Sequence, residues 1–136
     1  MRTEKDVEAY LLKLNRRFRA VDEQPGTYLL ETIGSMPPVA LRIEAPIVLM
    51  RVHIGDATDG QGAELFRKLL ELNAKALIHS SYGLEGNRVV LSSALELENL
   101  DFNELQATLD EIDYALTEQV PQLAELRGDT KKQDHA

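Results

Sequence analysis

Between residues 39 and 54, two runs of alternating apolar and polar residues are separated by only Ala45-Pro46, and a connection that short belongs to a hairpin. In the first run Val39, Leu41 and Ile43 share one face, opposite Ala40, Arg42 and Glu44. The second run, Ile47 to Ile54, sets Val48, Met50, Val52 and Ile54 together. Its other face, Ile47, Leu49, Arg51 and His53, is half apolar, so Leu49 and Arg51 are expected where the strand is central or meets something beyond its own core. Thr27 to Ile33, bounded by Gly34-Ser35 and Pro37-Pro38, reads as a strand before this pair. Ile78–Leu84 and Arg88–Leu95, joined across Glu85-Gly86-Asn87, read as a second hairpin. The expected sheet is antiparallel.

Three helices fill the gaps. Thr3 with Asp6 forms a capping-box pattern, and Val7, Tyr10, Leu11, Leu14, Phe18 and Val21 recur at helical spacing, predicting a helix from residue 3 to about 21. Asp101 with Glu104 opens another, carrying Leu105, Leu109, Ile112, Leu116 and Val120; Pro121 should kink or end it, with Leu123 and Leu126 adding a last turn. The middle helix, about residues 62 to 76, is different in kind. Its polar residues Glu64, Arg67, Lys68, Glu71 and Lys75 occupy an arc of only about 100°, whereas Leu65, Phe66, Leu69, Leu70, Leu72 and Ala74 cover about 200° with Asn73 among them. A helix packed on one sheet needs half that width, which implies a second apolar contact, most simply another subunit. The order α-β-β-β-α-β-β-α describes an α+β domain over residues 1–126, with helices packed on the sheet. Residues 127–136 are polar and are expected to be a disordered tail.

Composition narrows function by exclusion. With 15 basic and 23 acidic residues the chain of 136 carries a net charge of −8, which repels phosphate backbones and anionic lipid, so neither nucleic acid nor membrane is expected as a partner. Charge is segregated: residues 1–20 hold six basic and three acidic side chains, while residues 96–126 hold nine carboxylates and no Lys or Arg. That second segment reads as a solvated face, or as a surface that steers a basic partner. No cysteine is present, which removes disulfides, thiolate chemistry and Cys-based metal sites. His53, His79 and His135 have no metal-ligand spacing, and no metal or cofactor is expected. The loop Gly55 to Gly62 lacks the Lys and Ser/Thr of a phosphate loop and the ligand pattern of a calcium loop, and is expected to be a flexible turn. The serines have no nucleophile-elbow context. The amino terminus has no apolar signal segment, so a cytoplasmic, non-enzymatic protein is expected.

Three stretches carry a resemblance: Glu64-Leu-Phe-Arg-Lys-Leu-Leu-Glu-Leu-Asn-Ala74, Ser81-Tyr-Gly-Leu-Glu-Gly-Asn-Arg-Val-Val-Leu91, and Leu95-Glu-Leu-Glu-Asn-Leu-Asp-Phe-Asn-Glu-Leu105. Together they resemble the YbjN and CesT-like families, which share the fold of type III secretion chaperones; the likeness is best over residues 63–126. The resemblance implies small acidic cytoplasmic proteins, commonly homodimers, that bind an extended segment of a client protein without enzymatic activity. Asn73 matches the family's Asn and, lying among leucines, must hydrogen-bond something; capping backbone at the helix end is the expected role. Leu65, Phe66, Leu69, Leu72 and Asn73, with Leu49 and Arg51 of the two-faced strand, are expected at the dimer or client contact, so that Leu72→Asp would weaken association and largely spare the fold. Alternatives are a YbjN-like regulator acting by association with a signalling or envelope protein, and a small-molecule-binding domain.

Overall fold

The computed structural model describes residues 2–32, 34, 36–57 and 62–126. The expected tail at 127–136 and the centre of the loop before the middle helix lie outside them.

A capping box opens the first helix, α1 (Glu4–Lys13): the Thr3 hydroxyl accepts from the Asp6 N–H while the Asp6 carboxylate accepts from the Thr3 N–H. The helix stops far short of residue 21. Asn15 adopts a left-handed conformation, φ 63°, and Asn15 N–H donates to Leu12 O while Arg16 N–H donates to Leu11 O. This is a complete Schellman motif. Beyond it the chain is extended, so Phe18 and Val21, which fit a helical repeat, belong to an additional strand and its flank, β1 (Phe18–Ala20).

Five further strands complete the sheet: β2 (Thr27–Leu30), β3 (Val39–Glu44), β4 (Ile47–Asp56), then β5 (Ser81–Glu85) and β6 (Arg88–Glu96) after the middle helix α2 (Gly62–Lys75). They form one antiparallel sheet in the order β1-β2-β3-β4-β6-β5. The hairpin 39–56 lies where its spacing predicts, with Leu41 opposite Met50. Ile78 and His79 precede β5 instead of opening it, because both backbone N–H groups donate to the Glu111 carboxylate, at 2.6 and 2.7 Å.

The last helical segment comprises α3 (Phe102–Tyr114), a π-helical turn over Ala115–Gln119, and α4 (Val120–Leu126). Asp101 and Glu104 form the expected capping box. Pro121 neither ends the helix nor stands in a regular stretch of it: the widened turn sends the Val120 N–H back to Ala115 O, accommodating a residue that has no N–H of its own.

One sheet face meets the helices. Val39, Leu41, Val48, Met50, Val52 and Leu91 join Val7 and Leu11 of α1, Leu65 and Leu69 of α2, and Leu105, Leu109, Ile112, Leu116 and Leu123 in one continuous apolar cluster. On the reverse face Leu29, Ala40 and Leu49 are half-buried and Arg51 and His53 exposed, although Val90 is buried there.

Candidate partner-binding site

The wide apolar arc of α2 divides along its length. Leu65 and Leu69 are 1% and 5% exposed and lie in the chain's own core, with Leu72 packed partly against it. Phe66 and Leu70 are 37% and 68% exposed, and Ala63 and Ala74 are exposed with them. Positions 66, 70 and 74 are successive i, i+4 neighbours and form one ridge. About half of the arc therefore covers the sheet and the other half faces outward. Of the residues expected at a partner contact, Phe66 stands on the free surface. Leu65 and Leu69 do not, because the sheet claims the side of the helix nearest it, and Leu72 goes with them. Leu72→Asp would thus place a charge against the core and harm folding before association.

Asn73 sits between the two halves and does not cap its own helix. Its carboxamide accepts from the Tyr82 N–H at 2.8 Å and donates to Tyr82 O at 3.1 Å, tying α2 to β5. The Tyr82 ring points into the core, where its hydroxyl donates to Gln119 Oε1 at 2.6 Å, and burial pushes the phenol well above the usual tyrosine range. This holds the α2–β5 corner from two sides and gives the outward ridge a fixed backing. Leu84, on the same strand, is another exposed apolar side chain.

Leu49 and Arg51 lie on the reverse face of the sheet. Arg51 forms an ion pair with Glu85, and His53 Nε2 stands 3.8 Å from the same carboxylate. Ser93 Oγ donates to Ser80 Oγ at 3.2 Å. Among the described residues no group of three or more His, Asp or Glu is placed to hold a metal ion, and no helix is long and apolar enough to cross a membrane. Two carboxylates of the acidic segment do more than face solvent: Glu111 receives the backbone before β5, and Asp113 binds Arg16 through both oxygens at 3.2 and 2.6 Å.

A second surface is not foreshadowed by the sequence pattern. Beside β1 lies an open depression of about 590 Å³, lined by Leu12, Phe18, Leu29 and Pro38 together with Arg17 and Arg19. Periodicity conceals it, because Phe18 and the arginines read as the end of a helix. The signal that could have found it is Asn15, a residue that tolerates the left-handed conformation ending a helix.

Comparison with known proteins agrees with the geometry. The CesT_Tir_1 family model matches residues 1–128. Among solved structures the chain is similar to the ExoU–SpcU heterodimer of the Pseudomonas aeruginosa type III secretion system, with TM-score 0.67 and 19% identity over 88% of this chain and 96% of that one. It is similar to YbjN from E. coli, with TM-score 0.65 and 12% identity over 96% of this chain and 93% of that one. It is also similar to the Yersinia pestis type III secretion chaperone SycH in complex with a fragment of YscM2, with TM-score 0.58 and 18% identity over 89% and 99% of the two chains. No curated protein matches the chain. At such identities the likeness bears on the fold, which is the α+β, type III secretion chaperone-like architecture that the sequence predicts.

Proposed function

The chain belongs to the CesT_Tir_1 family, and from that membership we propose that it is a non-catalytic, homodimeric cytoplasmic module whose residues 1–126 act as one unit to hold an extended segment of a partner protein. The observation that carries this reading is the outward ridge Phe66, Leu70 and Ala74 on a helix whose opposite side is already buried. Contiguous exposed apolar surface backed by a rigid corner is what an interface requires, and a two-fold contact would set the same ridge of two copies against each other. SpcU and SycH, which share the fold, are each seen with a protein partner.

The ridge gives a direct test. In Phe66→Asp/Leu70→Asp the two charges sit on exposed positions, so unfolding free energy should change by no more than about 1 kcal/mol. Self-association should be lost, seen by sedimentation or light scattering as a change from dimer to monomer mass. Leu69→Asp, at a buried position of the same helix, should instead unfold the chain. A doubly charged variant that still sediments as the wild type would remove the ridge from the interface. Tagged wild-type protein drawn from its host's lysate should carry a partner at fixed ratio.

A further inference from the structure

The outward ridge of α2 does not start at Phe66. One turn earlier on the same i, i+4 line stands Gly62, the first residue of the helix. Its backbone does not call for glycine: Gly26, Gly34 and Gly86 have φ of 83°, 68° and 61°, whereas Gly62 is helical. In a helix, glycine costs conformational entropy that alanine does not. What the missing side chain leaves is space, and the space is taken. Outside the adjoining residues and the helix backbone, the three atoms nearest the place of a Cβ on Gly62 all belong to the Phe66 ring, at 3.1, 3.4 and 3.7 Å.

A helical side chain leans towards the amino end of its helix, so Phe66 reaches back over position 62. Seated there, the ring leaves Phe66 only 37% exposed, whereas Leu70, the next residue of the ridge, is 68% exposed. The ridge therefore opens with a ring held low against its own helix. An aromatic group fixed in advance loses less freedom when a partner covers it. A Cβ at 62 would stand 3.1 Å from the ring, inside comfortable van der Waals contact, and the exposed ring would move before the helix did.

Resting on the partner-binding reading above, we propose that Gly62 is a positioning residue of the ridge: its bare backbone seats the Phe66 ring in the orientation against which a second copy of the chain packs. Gly62 acts through Phe66 and needs no contact of its own with that copy. Phe66 and Leu70 then meet it as a low, pre-set apolar surface. Any side chain at 62 pushes the ring outward and spoils the fit.

Self-association of the full chain, followed by sedimentation over a concentration series, is compared with stability in urea measured on the monomer at high dilution. Gly62→Ala needs the ring to give by a few tenths of an ångström and should weaken self-association several-fold. Gly62→Gln takes the seat outright and should weaken it about tenfold or more. Both variants should keep or raise the urea midpoint, since each replaces glycine with a better helix former. Association falling while stability holds is a pattern that a purely structural glycine does not give. In a Phe66→Leu background, either substitution at 62 should change association by no more than about twofold, because the ring it displaces is gone. Proton NMR checks the seat without reference to a partner: the two Hα resonances of Gly62, displaced by the ring, should return towards ordinary values in Phe66→Leu. Gly62 variants that associate as wild type, while Phe66→Asp/Leu70→Asp is monomeric, overturn the role of Gly62 and leave the ridge in the interface. A full loss at 62 that persists in Phe66→Leu also overturns it, since Gly62 would then touch the second copy directly. Hα resonances that do not respond to Phe66→Leu overturn the seat itself. A wild-type chain that stays monomeric throughout overturns the dimeric reading, and the role of Gly62 falls with it.

Discussion

Asn73 stands on α2 between leucines, yet its carboxamide leaves the helix and occupies both backbone groups of Tyr82. The sequence makes it plain that an amide in this position must be hydrogen-bonded, but its partner lies on a strand nine residues away, and no local pattern points there. A helix-end cap is the nearest local solution, and the fold uses a non-local one. The consequence is that at Tyr82 the β5 edge is occupied by a side chain instead of by another strand. Asn73→Ala leaves one N–H and one C=O without partners and should lower the unfolding free energy by about 1–3 kcal/mol in urea denaturation. Its sharper signature is hydrogen exchange: the Tyr82 amide should lose protection while the Leu91 amide, on the paired strand, keeps most of its own. An unchanged Tyr82 rate would mean that the carboxamide does not hold the edge.

At the scale of elements, the hairpin 39–56 and both capping boxes are legible in the sequence because the signals that make them are local: alternation, a short turn, a carboxylate three residues after a cap. The end of α1 is not. Val7, Leu11 and Leu14 continue smoothly into Phe18 and Val21 at a helical period, and only the conformation of Asn15 shows that the register changes from 3.6 to 2. That residue can be tested. A β-branched side chain strongly resists the left-handed region, so Asn15→Val should lower stability by about 1–2 kcal/mol, whereas Asn15→Gly, free to adopt φ 63°, should lose less than Asn15→Val. Thermal melts of the two variants decide it; equal losses would show that the cap does not set the boundary. The arc of α2 lies between these cases. Its width reveals that a second contact exists, but a helical wheel does not say which half the sheet will claim, because that depends on where α2 crosses the sheet. Packing, not periodicity, puts Phe66 on the free side and Leu65 and Leu69 in the core.

For the whole molecule, the separation of charge along the chain becomes a clasp. The basic end of α1 and the acidic α3 are 97 residues apart in sequence, and Arg16 grips Asp113 through both nitrogens with the side chains only 13% and 24% exposed. A bidentate pair of this kind is stronger than a surface contact, because solvent screens it less and its geometry is fixed by two parallel bonds. Arg16, just after α1, is turned in to α3, while Arg17 and Arg19 in the following stretch are exposed. Arg16→Ala and Asp113→Ala should each lower stability by about 1–3 kcal/mol. The double variant should cost clearly less than their sum, giving a coupling energy of about 1 kcal/mol or more, since residues that share a contact are not additive. Raising the salt concentration should trim that coupling only slightly, in contrast to the exposed Arg67–Glu71 pair, whose contribution should fade. Strict additivity of the two single losses would mean that the end of α1 is held to α3 by the apolar core alone.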